Sequence, residues 1–363
     1  MATVDEHVPT TPVTLPADPL SIEELQLAAR NRGMPLEALR YDVTPTGLHY
    51  LLIHFDIPYV DPSNWRLQVG GAVARPFALS FDDVFGLPHR TLHVTMECAG
   101  NGRARMTPRP LSQPWLHEAI GTSQWTGTPV WPLLERAGLA SDAVEVVFTG
   151  ADHGVQGDVE QDYARSLTIS ELQRPEVMLA YAMNGRPLEP QHGFPVRLLV
   201  PGWYGMTSVK WLKSIEAVRE PFKGYQQAET YMYKSSADDP GEPVERMRVR
   251  ALMVPPGDPD FFSRQRLAEA GPIEIIGRAW SGVAPVTRVE FGVDGSWSDA
   301  VLDPAAQDFA WQRWHHTWQA TAGAHVIACR ATDAAGNVQP IEQPWNVQGM
   351  GNNSVQRVAV TIR

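Results

Sequence analysis

The chain has 363 residues, two cysteines and a net charge of −11, which makes it too long for one hydrophobic core and too acidic to hold a nucleic-acid backbone. Cys98 and Cys329 are too few and too far apart for a secreted disulfide framework. No stretch is long and apolar enough to cross a bilayer, and MATVDEHVPTTPVTLPADPL lacks the charged start and apolar middle of an export signal. Cytoplasmic is therefore the default location, periplasmic if an export signal has been removed.

In chain order, SIEELQLAARNRG predicts a short helix capped by Ser21 and stopped by Gly33. Two extended segments follow, WRLQVGGAVARPFALS and RTLHVTMECAG, with a short helix from Ser80 between them. TPVWPLLERAGL has a helical apolar pattern closed by Gly138, and AVEVVFTG reads as a buried strand. EVMLAYAMNGRPL carries Asn184-Gly185 between strand-like runs, a hairpin signal. FPVRLLVPG and VKWLKSIEAV add two strands. Strands and helices mix here without a regular βαβ alternation, so this half is α+β.

The stretch from Tyr233 to about Glu245 is polar and rich in turn formers, which predicts a linker. From Arg246 onward only strands and turns are expected: IEIIGRAW, VTRVEFGVDGSWSDAVL with a turn at Asp294-Gly295, FAWQRWHHTWQA and HVIACRATDAAGNVQ. Trp314, His316 and Trp318 alternate onto one face of a half-buried strand. Repeated short strands with Gly and Asn turns suggest an all-β immunoglobulin-like sandwich, with Cys329 as a buried core thiol.

GxGxxG after a strand, GxxxxGK[ST], HExxH, CxxC and GxSxG are all missing from the sequence, which removes the usual signals for nucleotide binding, zinc hydrolysis and serine hydrolases. What remains is a set of polar motifs: LIHFDIP with His54, ECAGNGR with Cys98, TGADHG with Asp152, HGFPVR with His192 and Arg197, and PGWYGMTSVKW. Taken singly, each has an ordinary structural explanation. A lone His on a strand is more often a hydrogen-bonded core residue than a ligand. The sequon at Asn352 means little in a cytoplasmic protein.

Taken together, ECAGNGR, LAYAMNGRPLEPQHGFPVRLLVPGWYGMTSVKWL and the C-terminal segment from WQATAGAHVIACRATDAAGNVQP to PWNVQGMGNNSVQRV resemble the sulfite oxidase family of molybdenum enzymes, from about Gly47 to the C-terminus. The resemblance implies an N-terminal extension (1–46), a molybdopterin-binding catalytic domain (47–233), a linker (234–245) and an immunoglobulin-like dimerisation domain (246–363). It implies one molybdenum–molybdopterin cofactor, a homodimer and no haem domain, with electrons leaving to an external cytochrome or oxygen, or a flavoprotein. Neither nucleic acid nor membrane is expected as a partner.

By the same resemblance Cys98 is the protein ligand to molybdenum, a role that suits a soft thiolate. His54 lies near the pterin, and His192 and Arg197 contact the pterin and its phosphate. Asp152 and Lys210 are further polar contacts, and Gly202 and Gly205 let the backbone approach the phosphate.

The substrate pocket departs from the family pattern. Arg103, Trp115 and Tyr231 (Tyr233 in reserve) match the pocket's arginine, tryptophan and tyrosine, but Leu52 and Gln348 stand where two further arginines are usual. Two lost charge-assisted hydrogen bonds weaken a dianion pocket about a hundredfold. Either sulfite is oxidised with poor affinity, with help from Arg105 or Arg109, or a less anionic substrate is used. The implied reaction is oxygen-atom transfer. The alternatives are a reductase of the same superfamily acting on an S-oxide, and a cofactor-free binding protein that works through its sandwich domain.

Overall fold

The computed structural model describes residues 19–363. The first helix, Ile22–Arg30, starts at a reciprocal capping box, in which Ser21 Oγ accepts from the Glu24 amide at 3.2 Å and the Glu24 carboxylate accepts from the Ser21 amide at 3.0 Å. It ends at Asn31, before the expected Gly33, because the Asn31 side chain turns inward to the Leu27 carbonyl, Gln113 and the Ile53 amide. Met34, Ala38 and Leu39, which follow, are fully buried in the main core, so this part of the expected extension is built into the body of the protein.

The first half contains two sheets. One orders its strands Phe77–Leu79, Leu67–Gly71, Leu212–Val218, Glu145–Gln156 and Val159–Thr168. The other runs Arg90–Glu97, Ile120–Pro129, Met178–Met183 and Arg186–Pro187, with Arg197–Leu199 also paired to Met178–Met183. Asn184 and Gly185 both take positive φ, 52° and 74°, as the two-residue hairpin turn requires. The helix Trp131–Ala137 stops at Gly138, whose φ is +70°.

The second half is all β. A four-stranded sheet (Arg250–Met253, Gly271–Trp280, Gln312–Ala320, Val301–Leu302) faces a six-stranded one that includes Val286–Val293, Gly323–Asp333 and Gln356–Ile362. Their shared core holds Trp314 and Trp318 from the alternating strand, with Phe291, Ile327 and Cys329 opposite. The stretch expected as a linker has structure of its own: Met232–Tyr233 pairs with Glu242–Pro243, and the Asp239 carboxylate closes the intervening turn on the Ser235 amide and hydroxyl.

The two halves are tied by buried polar contacts. Arg250 donates to Glu97 Oε1 at 2.7 Å, and Trp280 Nε1 donates to the other oxygen at 2.9 Å. Arg278 donates to the Leu39 carbonyl and pairs with Asp42 at 2.8 Å. These contacts press the second half against the turn that carries Cys98.

Candidate active site

One cavity in the first half gathers residues that are far apart in sequence. Its wall includes His49, Tyr50, Leu52, His54, Cys98, Asp152, Tyr163, His192, Arg197, Gly205, Ser208 and Lys210. Cys98 sits just past the end of the strand Arg90–Glu97, where the chain stops pairing and turns. Asn101 donates its amide to the Cys98 carbonyl at 2.9 Å, and its side chain is held by Glu97 and the His117 carbonyl. Gly100 is required there, because a Cβ at that position would lie 2.6 Å from the Arg103 guanidinium.

Arg103 is 5 % exposed and donates to two carbonyls, Gln113 and Gln348, each at 3.0 Å. Gln348 therefore reaches the site from the second half through its backbone. Burial pushes the Cys98 thiol up, while the nearby Arg103 charge pulls the other way. The Trp115 indole N–H has no acceptor in hydrogen-bond geometry, although it lies close enough to favour a Cys98 thiolate.

Tyr231 is buried, with its hydroxyl 3.3 Å from His54 Nε2. The His54 ring packs against Tyr163 with centroids 4.9 Å apart. Burial, with help from Lys210 and Arg103, lowers His54 to about 4, so the ring is neutral at pH 7. Tyr233, the reserve, lies elsewhere: its ring stacks under Arg248 and its hydroxyl faces Gly351.

Arg197 donates to the His192 carbonyl at 3.1 Å and the Ser208 carbonyl at 2.9 Å, and lies over the Trp125 ring. Lys210 donates to the Leu52 carbonyl at 2.7 Å and the Gln191 carbonyl at 3.2 Å. Asp152 is buried and Lys210 half-buried, and the two act on each other without closing to ion-pair distance; desolvation pushes the carboxyl up and the ammonium down, and each partly restrains the other. Gly205 lines the cavity because a Cβ there would lie 2.4 Å from the Tyr50 hydroxyl.

The expectation for Gly202 does not hold. It lies outside this cavity, in a crevice between the halves, where its open side faces Gly282 and Arg246 and its φ is +87°. Arg109 is committed to Glu24 at 2.8 Å and Arg105 is exposed, so neither stands beside Cys98 as a spare anion donor. Asn352 is buried and donates to the Gly102 carbonyl, a structural use for the residue of the sequon. The residues missed from sequence are His49, Tyr50, Tyr163, Gln191 and Ser208. His49 and Tyr50 stand a few residues before His54 in HYLLIH, and that proximity was the signal for them.

The charge balance of the cavity is informative. Arg197 and Lys210 line the cavity and Arg103 is buried beside Cys98; among the described residues no carboxylate lies within 4.0 Å of any of the three, and only Lys210 has one, Asp152, acting on it from farther off. His49 Nε2, Asp152 Oδ1 and Arg197 Nε are buried with no hydrogen-bond partner. Leaving such groups unsatisfied costs roughly 1–3 kcal/mol each. A large anionic group rich in hydrogen-bonding atoms fits this donor set, as a pterin carrying a phosphate and a dithiolene does.

Residues 54–226 match the oxidoreductase molybdopterin binding domain, and residues 242–363 match the Mo-co oxidoreductase dimerisation domain. Fold and site thus define a molybdopterin-dependent oxidoreductase. Mitochondrial sulfite oxidase of Homo sapiens is 32% identical over 389 aligned residues, covering 99% of this chain and 70% of that protein. The NADH nitrate reductase of Solanum lycopersicum is 31% identical over 370 aligned residues, covering 92% of this chain and 40% of that protein. The sulfane dehydrogenase SoxCD of Paracoccus pantotrophus has the same fold, with a TM-score of 0.79 at 24% identity over 100% of this chain and 96% of that one. The chain belongs to the sulfite oxidase family. Membership sets aside the reading as a cofactor-free binding protein. Among the described residues no helix is long and apolar enough to cross a membrane.

Proposed function

We propose that this enzyme oxidises sulfite, or a related sulfur oxyacid of lower charge, by oxygen-atom transfer, with Cys98 as the thiolate that holds the metal. The observation that carries the reading is the pair of buried guanidiniums without carboxylate partners, Arg103 beside Cys98 and Arg197 in the adjoining cavity, with Lys210 as a third, half-buried cation. His49, His192, Arg197, Ser208 and Lys210 would hold the pterin and its phosphate, and Cys98 the metal. When bound, the molybdenum cofactor supplies the two-electron chemistry of the transfer.

The chain's own groups do the rest. Arg103, fixed by two carbonyls, keeps its remaining N–H groups for an anionic oxygen. Its loss of water of hydration is already complete, so it meets the anion preorganised. Tyr231 keeps its proton, since burial raises its hydroxyl above the usual phenol range, and neutral His54 at 3.3 Å is a hydrogen-bond partner that orients it. Leu52 makes one wall of the cavity apolar.

The dimerisation-domain match supports a homodimer, for which light scattering should give twice the 40.2 kDa chain mass. The expected domain limits 47–233 and 246–363 remain part of this proposal. The activity test is ferricyanide reduction by sulfite on protein of known molybdenum content. Leu52→Arg combined with Gln348→Arg should lower the Michaelis constant for sulfite about a hundredfold, from restoring two charge-assisted contacts. An unchanged constant in the double variant refutes the placement of these two residues beside the substrate.

A further inference from the structure

One buried cation, Arg165, stands behind the tyrosine of the proposed pocket. Arg165 is 2 % exposed and lies on the strand Val159–Thr168, two residues after Tyr163. The period of a strand puts both side chains on one face. Tyr163 packs on His54 with centroids 4.9 Å apart, and the Arg165 guanidinium lies over the Tyr231 ring at 5.4 Å. Its Nη1 donates to the Gln226 carbonyl at 2.5 Å, at the start of the π-helical segment Gln226–Thr230 that delivers Tyr231. Its Nε has no hydrogen-bond partner, and among the described residues no carboxylate pairs with it within 4.0 Å. This guanidinium is held by one carbonyl and an aromatic face, and the Glu245 carboxylate acts on it only from outside ion-pair distance, so much of its positive field reaches whatever lies beyond that ring.

We propose that Arg165 is the second cation of the substrate pocket, a positioning residue that acts through Tyr231 and makes the pocket selective for a small dianionic oxyanion. This rests on the proposed placement of Arg103 and Tyr231 beside the substrate. Leu52 and Gln348 remove two arginines from the pocket's near wall, and Arg165 returns one positive charge from behind the tyrosine. Arg165 lies over the Tyr231 ring, and Arg103 also acts on Tyr231 electrostatically, so two like charges bear on it that an anion relieves.

The test compares Arg165→Gln, which keeps a donor for the Gln226 carbonyl and loses the charge, with Arg165→Lys, which keeps the charge. Two quantities are read on the cofactor-loaded enzyme: the rise in melting temperature produced by sodium sulfate over sodium chloride of equal ionic strength, and the Michaelis constant and kcat for sulfite per bound molybdenum. Arg165→Gln should weaken sulfate binding and raise the Michaelis constant roughly ten- to thirtyfold, the effect of one charge acting across an aromatic ring at the interior dielectric. Arg165→Lys should stay within about threefold of the parent, a small part of one such charge effect.

A sulfate response unchanged in Arg165→Gln overturns the proposal. So does an equal loss in Arg165→Lys, which would mean the guanidinium serves only to hold Gln226. A measurement that needs no variant is inhibition by sulfate against methanesulfonate. Two cations predict at least tenfold preference for the dianion, and equal inhibition refutes the second cation. Arg103→Gln is the control: if it binds sulfate as the parent does, the pocket itself is misplaced and this proposal falls with it.

Discussion

Arg250→Met removes one partner of a buried ion pair and leaves the other uncompensated. Arg250 and Glu97 are each 1 % exposed, and the guanidinium serves Glu97 at 2.7 Å, the Asn352 carbonyl at 2.9 Å and His117 Nδ1 at 2.8 Å. Methionine fills much of the volume but donates nothing, so the carboxylate keeps only its contacts from Asn101 and Trp280. Stranding a buried charge in this way costs about 3–5 kcal/mol. With an unfolding entropy near 2.1 cal/mol/K per residue, that lowers the melting temperature of a chain this long by about 5 °C. The assay is calorimetric melting of Arg250→Met beside Arg219→Met, whose pair with Asp142 is exposed on both sides and should be silent. Glu97→Gln combined with Arg250→Gln should recover most of the loss, because the neutral amides still hydrogen-bond and no charge is stranded. Arg250→Met melting with the parent would refute the view that this pair clamps the second half onto the Cys98 turn.

Two further outcomes follow from the same structure. His49, His54 and His117 all have depressed pKa values, chiefly through burial, the first two to about 4. The unfolded chain takes up these protons near the ordinary histidine value of about 6.5 and the folded one does not, so stability is full above that pH. It should fall on acidification from about pH 6.5 to 4, by about 1.4 kcal/mol per pH unit for each histidine, as read from urea midpoints at a series of pH values. A flat profile over that window contradicts the assignment of neutral buried rings. Gly205→Ala would force the Tyr50 hydroxyl away from a Cβ at 2.4 Å, costing about 1–3 kcal/mol of overpacking. It should lower pterin content per chain, measured by fluorescence of the released cofactor; full content would show that this backbone does not bound the cofactor cavity.

Much of this was readable in the residues alone, for identifiable reasons. Caps and turns are local: Ser21, Gly138 and Asn184-Gly185 act within a few residues, and the structure uses them as expected, with only the first helix ending early at Asn31. Motif residues were legible because most sit at strand ends, bends or short 3-10 turns with distinctive neighbours, Asp152 inside a long strand being the exception, and His54, Cys98, Asp152, His192, Arg197, Gly205 and Lys210 line one cavity. Arg165 and the Glu97–Arg250 pair were not, because their meaning lies in partners across the fold. Glu97 and Arg250 are 153 positions apart, and Arg165 meets Tyr231 only after two strands and a π-helical segment have brought them together. Gly202 misled because it shares a motif with Gly205, yet its turn serves the interface between the halves.

The most direct test of the account is Cys98→Ser, with molybdenum and pterin quantified, the thiolate-to-metal absorption recorded and sulfite turnover measured on one preparation. The account predicts a folded variant with parental melting behaviour that has lost the absorption band and turnover together. A variant that keeps both would show that Cys98 is only a small buried core residue, and the proposed site would have to be abandoned.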